Sequence, residues 1–91
     1  MIEGQKFPLG QTVITKGASK TLDSASVQVA LRKHLQGDWG IVCKEDKQAN
    51  DDALLEGERL FSIYLDSNEA EFYIITERDR SVTTILLSSE Y

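Results

Sequence analysis

The sequence contains few of the residues that metal sites and disulfide-rich modules depend on. Its 91 residues include one cysteine, one histidine and one proline. The single cysteine, Cys43, cannot form an internal disulfide, so we expect a reducing, cytoplasmic compartment. One histidine and one cysteine cannot supply the three or four nitrogen and sulfur ligands that zinc takes. Calcium-binding and glycine-rich phosphate-binding loop patterns are also missing. We therefore predict neither a metal nor a cofactor.

Long apolar stretches and excess positive charge are absent as well. No apolar run approaches the roughly 18 residues that a membrane span needs. Residues 1–6 lack the basic segment followed by an apolar one that marks a secretory signal. The formal net charge is −5, which disfavours nucleic acid as a partner because backbone binding relies on clustered Lys and Arg. We expect no membrane association, and another protein is the favoured partner.

What the sequence does contain is the pattern of one small globular domain. Hydrophobic residues make up 41% and charged residues 27% of the chain, and we predict a single domain over residues 1–91 with residues 1–6 flexible. Apolar and polar side chains alternate over residues 59–66, 71–77 and 82–87, which predicts three strands. Their short polar connections indicate an antiparallel meander. A β-branched run at residues 11–15 predicts a further strand, whose pairing stays open.

Two helices are predicted between the first strand and the meander. The first helix is capped by Ser24 or Ser26 and ends at Gly37, and its apolar positions lie three and four residues apart: Val27, Ala30, Leu31, His34 and Leu35. The second covers residues 44–56 and ends at Gly57. Residues 16–22 form either one helical turn or a loop. The order β-α-α-β-β-β predicts an α+β fold with two helices packed on one face of an antiparallel meander sheet.

The segment Asp38-Trp39-Gly40 places a large aromatic side chain at the break between the two helices. Tryptophan is enriched at the energetic centres of protein interfaces, so Asp38 and Trp39 form one part of a candidate binding surface. The alternative is that Trp39 fills the gap between the helices, which is the common fate of an aromatic residue at such a junction.

The last predicted hairpin gathers guanidinium and hydroxyl groups. Its candidate binding residues are Arg78, Asp79, Arg80 and Thr83. Guanidinium groups beside hydroxyl donors are typical of phosphate recognition. Asp79 lies between the two arginines and Glu77 directly precedes them, and both reduce that positive field, so the alternative is a network of surface salt bridges.

The remaining reactive residues do not form a complete catalytic set, which favours a non-enzymatic protein and leaves activity open. Cys43 is interpreted as a buried or half-buried structural thiol. His34 is interpreted as a helix-boundary residue whose charged form the helix dipole favours. The run Asn50-Asp51-Asp52 is expected on the solvated face of the second helix.

Several blocks of the chain resemble a family of short, uncharacterised bacterial proteins associated with plasmids and other mobile elements, some of them labelled as restriction-related. The matching blocks span nearly the whole chain: Phe7-Pro8-Leu9-Gly10-Gln11, Gly37-Asp38-Trp39-Gly40, Glu45-Asp46-Lys47, Ala49-Asn50-Asp51, the segment from Ile74 to Leu87, and Glu90-Tyr91. The chain departs from the family at Cys43, where an acidic helix cap is usual, and at Ser88-Ser89, where the family has Pro-Glu. The resemblance implies bacterial origin and an association with mobile DNA, without a mechanism.

Three functional hypotheses follow from different classes. The first is a small non-catalytic interaction module that binds another protein; an exposed sheet edge would also allow a homodimer. The second is a ribonuclease of the barnase or RelE type, by analogy of helices followed by a meander. Its phosphate-binding and proton-transfer residues would be Arg59, Arg78, Arg80, Thr83 and His34. The third is an acidic mimic of DNA, based on the carboxylates around the second helix.

Overall fold

A four-stranded sheet with helices on one face and along one edge forms the scaffold of the protein. The structure is a computed structural model and describes residues 4–91. The elements follow in the order β1 (Gln11–Ile14), α1 (Lys16–Thr21), α2 (Ser24–Leu35), α3 (Lys44–Glu56), β2 (Leu60–Leu65), β3 (Glu71–Thr76), β4 (Val82–Leu87) and a 3-10 turn (Ser88–Glu90). None of the helices within residues 4–91 has the length and apolar character that crossing a bilayer requires.

The sheet is mixed, and its strand order is β1-β4-β3-β2. The predicted meander is confirmed for β2, β3 and β4, which pair antiparallel. β1 instead pairs parallel to β4, with Gln11 opposite Val82 and Ile14 opposite Ile85. The expectation of a purely antiparallel sheet is therefore wrong. A parallel pair needs a long connection, and here every element from α1 to β3 lies between the two strands.

Side-chain caps define the starts of the first two helices. Thr15 accepts a hydrogen bond from the Ala18 N–H at 3.1 Å, so residues 16–21 form a helix rather than a loop. Asp23, not the predicted serine, caps α2 by accepting from the Ser26 N–H at 3.1 Å. α3 begins after Cys43, whose side chain makes no capping hydrogen bond, and it ends at Gly57 in a left-handed conformation with φ of 72°.

The core lies between the inner face of the sheet and the first two helices. One cluster joins helix residues to strand residues: Ala18, Leu22, Val27 and Ala30 pack with Tyr64, Phe72, Ile74 and Ile85. A second cluster closes the end of the molecule where α2 and α3 approach each other, and it contains Phe7, Leu35, Trp39, Ala53 and Leu60. α2 thus packs on the sheet with the apolar stripe that the sequence predicts.

α3 lies beside the outer edge of β2. Asn50 donates to the Phe61 carbonyl at 2.6 Å and accepts from the Phe61 N–H at 3.0 Å. Asn50 is buried, so its predicted place on a solvated helix face is wrong: its amide replaces the missing neighbouring strand. Further along the same edge, Ile63 pairs with the backbone of Trp39 and Ile41. Gly40 makes this approach possible, because a Cβ there would run into the Ile63 carbonyl.

The segment before β1 is held against α2. The Lys6 N–H donates to the Leu35 carbonyl at 2.9 Å, and the Phe7 side chain is buried in the second cluster. The predicted flexibility of residues 1–6 falls partly on residues 1–3, which lie outside the described residues.

Candidate functional site

A buried chain of polar side chains crosses the interface between α2 and the sheet. His34 lies in the last turn of α2 and is fully buried. Its Nδ1 lies 2.6 Å from the Ser62 hydroxyl of β2, and its Nε2 lies 2.8 Å from the Thr76 hydroxyl of β3. Thr76 is 2.8 Å from Thr83 of β4. This series of hydrogen bonds ends where Thr83 donates to the Leu9 carbonyl at 2.7 Å.

The carbonyl at one end fixes the direction of every hydrogen bond in this chain. A carbonyl oxygen only accepts hydrogen bonds, so the Thr83 hydroxyl donates its single hydrogen to Leu9 and must accept from Thr76. Thr76 then accepts from His34, which places the imidazole proton on Nε2. Nδ1 is left as an acceptor for the Ser62 hydroxyl. We refer to Ser62, His34, Thr76 and Thr83 as the histidine chain.

His34 is neutral, contrary to the interpretation that the helix dipole favours its charged form. Burial and the positive charge of Arg80 lower the pKa of His34 from 6.5 to about 3. Removing a charge from water costs more than the end of a helix returns. Tyr64 lies two residues from Ser62 on β2 and donates to the Asp38 carbonyl at 2.6 Å. Burial also raises the pKa of Tyr64.

Trp39 lies in the interior rather than on a binding surface. Its side chain is 2% exposed, and its ring packs near Phe7 and His34 at centroid distances of 6.4 and 5.6 Å. The indole N–H donates to Asp51 of α3 at 2.9 Å. Of the two predictions for Trp39, the structure matches the one in which it fills the gap between helices. Asp38 is exposed, and it accepts from the Gly40 N–H at 3.2 Å within the same turn.

Arg80 connects segments that are distant in sequence. Its guanidinium donates to the Glu58 carbonyl at 2.6 Å, the Glu77 carbonyl at 3.2 Å and the Ala53 carbonyl at 3.4 Å. It also lies 5.7 Å from the centre of the Phe7 ring. Arg80 therefore caps the carboxyl end of α3 and holds the hairpin to it, and three of its five N–H donors are used in doing so.

The other residues of the hairpin are engaged locally or buried. Thr83 is fully buried in the histidine chain, so its placement on a candidate surface is corrected. Asp79 accepts from the Ser81 hydroxyl at 2.6 Å and from the Ser81 N–H at 3.0 Å, and these bonds lower the pKa of Asp79. Arg78 is exposed and lies 3.2 Å from Glu58. The structure thus separates the arginines that the sequence groups together.

The face of the sheet opposite α1 and α2 carries apolar side chains, and none of the helices formed by residues 4–91 covers it. We call it the outer face: Val13, Phe61, Ile63, Tyr73, Ile75, Thr84 and Leu86 share it by strand register. Tyr91 lies over part of it, with its ring 5.6 Å from that of Phe61 and 5.5 Å from that of Tyr73. Arg59 lies 5.7 Å from the centre of the Tyr91 ring and 3.9 Å from Glu77.

Two features were missed at the level of sequence. Cys43 is exposed, not a buried or half-buried thiol, because it occupies the first, uncapped position before α3. The histidine chain has a partial signal, since His34 falls on the apolar stripe of α2. Its partners come from three strands, and only a predicted register would have brought them together.

Comparisons with protein-family models, curated protein sequences and solved structures return no match for this chain. Within residues 4–91, no group of three or more His, Cys, Asp or Glu side chains is arranged to hold a metal ion.

Proposed function

We propose that the protein is a small non-catalytic interaction module of bacterial mobile-element origin that binds another protein in the cytoplasm. The observation that carries this proposal is the outer face of the sheet. On this face Ile75 and Leu86 are buried, whereas Phe61, Ile63 and Tyr73 are only half-buried and Val13 is 39% exposed. Apolar side chains left accessible on a sheet face are stabilised by burial against another surface, so they support an interaction site. The mobile-element origin rests on the sequence resemblance alone.

The charge distribution supports a partner with a basic surface. Residues 41–91, which form α3 and three of the four strands, contain twelve Asp and Glu residues against five Lys and Arg. Glu71 and Glu77 flank the outer face at the two ends of β3 and are exposed. Complementary potentials steer association and suppress wrong partners. The proposed partner therefore presents an apolar centre surrounded by basic residues.

The ribonuclease alternative has less support from the geometry. It requires His34 and Thr83 to reach a phosphate, and both are fully buried with their hydrogen bonds satisfied. It also requires Arg80, whose guanidinium is engaged by three backbone carbonyls. Only Arg59 and Arg78 of the proposed phosphate-binding set are exposed, and each lies within 4 Å of a carboxylate.

The test is a tagged capture from bacterial lysate with three variants beside the original chain. Thr84→Lys places a charge in the middle of the outer face, at a half-buried position between Val13 and Ile75. Arg78→Ala removes the exposed arginine of the hairpin. Leu55→Lys is the matched control, because Leu55 is 87% exposed on α3. Captured protein is identified by mass spectrometry, and nucleic acid by its absorbance ratio.

A protein partner that binds the original chain and Leu55→Lys, is lost with Thr84→Lys and is released by salt supports the proposal. Loss with Arg78→Ala alone would move the surface to the hairpin. Captured RNA fragments without a protein partner, or cleavage of added RNA by the pure protein, would overturn the proposal in favour of a ribonuclease. A partner displaced by competing DNA would favour the acidic mimic.

A further inference from the structure

β1 presents an unpaired strand edge. The Gln11 N–H donates to the Ser81 carbonyl and the Thr15 N–H to the Ile85 carbonyl, so the odd-numbered residues of this strand direct their backbone groups towards β4. Backbone groups alternate along a strand. The N–H and C=O groups of Thr12 and Ile14 therefore point away from the sheet, and no residue within 4–91 pairs with them.

The two edge strands of the sheet differ in whether other parts of the protein cover them. The β2 edge is covered, because Asn50 and the segment around Gly40 bond to its outward backbone groups. Of the usual devices that prevent edge pairing, β1 contains neither a proline nor a charged side chain, and no element within residues 4–91 covers it. All four of its residues are exposed and uncharged, including Val13 at 39% and Ile14 at 41%.

We propose that β1 pairs antiparallel with β1 of a second copy about a two-fold axis at Val13. This register places Thr12 opposite Ile14 of the second copy, and Ile14 opposite Thr12. The two pairs exchange four hydrogen bonds, which use every outward backbone group of both residues in both copies. Val13 meets its own symmetry mate as a non-hydrogen-bonded pair, where side chains are closest. The result is a continuous eight-stranded sheet.

The charges next to β1 fit the same register. Lys16 begins α1 directly after β1, at the end of the strand that an antiparallel partner places beside its own Gly10, and Gly10 lies directly against the backbone of Arg80 and Ser81. Asp79 bonds to Ser81 in that hairpin. Neither Lys16 nor Asp79 forms an ion pair within residues 4–91. The two-fold axis thus brings each Lys16 towards an Asp79 of the other copy, and this charge complementarity selects a second copy as the occupant.

Pairing through four residues buries little surface, so the dimer is weak and depends on concentration and salt. It uses the backbone edge of β1, and its test is separate from that of the proposed protein-binding function because it is made on the pure protein alone.

The experiment is sedimentation equilibrium of the purified protein over a wide concentration range at low salt. Val13→Lys places two like charges opposite each other and should weaken association roughly tenfold, whereas Val13→Thr should preserve it. Lys16→Glu should weaken association, and the double variant Lys16→Glu, Asp79→Lys should restore it. Lys20→Glu, on the exposed side of α1, is the matched control. Circular dichroism checks that each variant is folded.

Hydrogen exchange gives a second, local measurement on the original chain. The Thr12 and Ile14 amides should exchange fast in dilute protein and more slowly as concentration rises. A protein that stays monomeric at every concentration would overturn the proposal. So would a dimer that Val13→Lys leaves intact, or one whose formation does not slow exchange at these two amides.

Discussion

At the scale of single residues, the environment of His34 determines its charge. The groups around its imidazole ring are the Ser62 and Thr76 hydroxyls, the Phe7 and Trp39 rings, and the Arg80 guanidinium. None of these carries a negative charge that would stabilise an imidazolium ion. A buried positive charge would face Arg80 instead, so the folded protein holds His34 neutral.

This arrangement predicts that the free energy of unfolding decreases as the pH is lowered through a range set by the pKa of His34. Its pKa is about 3 in the folded state and 6.5 when unperturbed, so below pH 6.5 the unfolded chain binds a proton that the folded chain does not. The contribution of His34 to the free energy of unfolding is therefore fully present above pH 6.5 and declines as the pH falls towards 3. At about 1.4 kcal/mol per pH unit, the loss reaches roughly 2 kcal/mol near pH 5. Urea unfolding at several pH values measures this slope.

The variant His34→Gln separates this effect from that of the carboxylates. Glutamine keeps hydrogen-bonding groups but does not titrate, so its unfolding free energy should be flat between pH 6.5 and 5. The pKa values of Asp23, Asp51, Asp66 and Asp79 are lowered from 3.8 by hydrogen bonds. Their contributions are lost only at lower pH. An equal slope in the variant and the original chain would contradict the assignment to His34.

At the scale of elements, α3 begins without the side-chain cap that stabilises α1 and α2. Thr15 and Asp23 each accept a hydrogen bond from the first turn of their helix, whereas Cys43 accepts none. Cys43 has the extended backbone of a capping residue, with φ of −69° and ψ of 167°. The position therefore has the conformation of a cap and lacks only an oxygen acceptor.

Cys43→Asp should stabilise the protein by about 1 kcal/mol, because the carboxylate can accept from the first-turn N–H groups and favours the positive end of the helix dipole. Cys43→Ala is the control, since it removes the thiol without adding an acceptor. Thermal and urea unfolding of the three proteins compare them. A gain in Cys43→Ala equal to that in Cys43→Asp would show that loss of the thiol, not capping, is responsible.

At the scale of the whole molecule, the sequence predicts what depends on local pattern. Alternation marks β2, β3 and β4, and the stripe from Val27 to Leu35 marks the buried face of α2. The pairing of β1 with β4 joins residues some seventy positions apart, and no local pattern encodes such a contact. For the same reason, sequence reasoning grouped Arg78 with Arg80, although one points to solvent and the other across the fold.

The contrast between these two arginines gives a prediction about how α3 is held to the hairpin between β3 and β4. Arg80 has a left-handed backbone with φ of 62°, and it joins the end of α3, the segment before β2 and the end of β3. Its truncation leaves carbonyls without their donor and removes its packing on Phe7, so Arg80→Ala should cost about 2–3 kcal/mol of unfolding free energy. Arg78→Ala, which loses one exposed ion pair, should stay within about 0.5 kcal/mol. Trp39 fluorescence reports any loosening of α3 during urea unfolding, because the indole of Trp39 is hydrogen-bonded to α3 through Asp51. Equal effects of the two variants on urea unfolding would mean that Arg80 does not hold α3 to the hairpin.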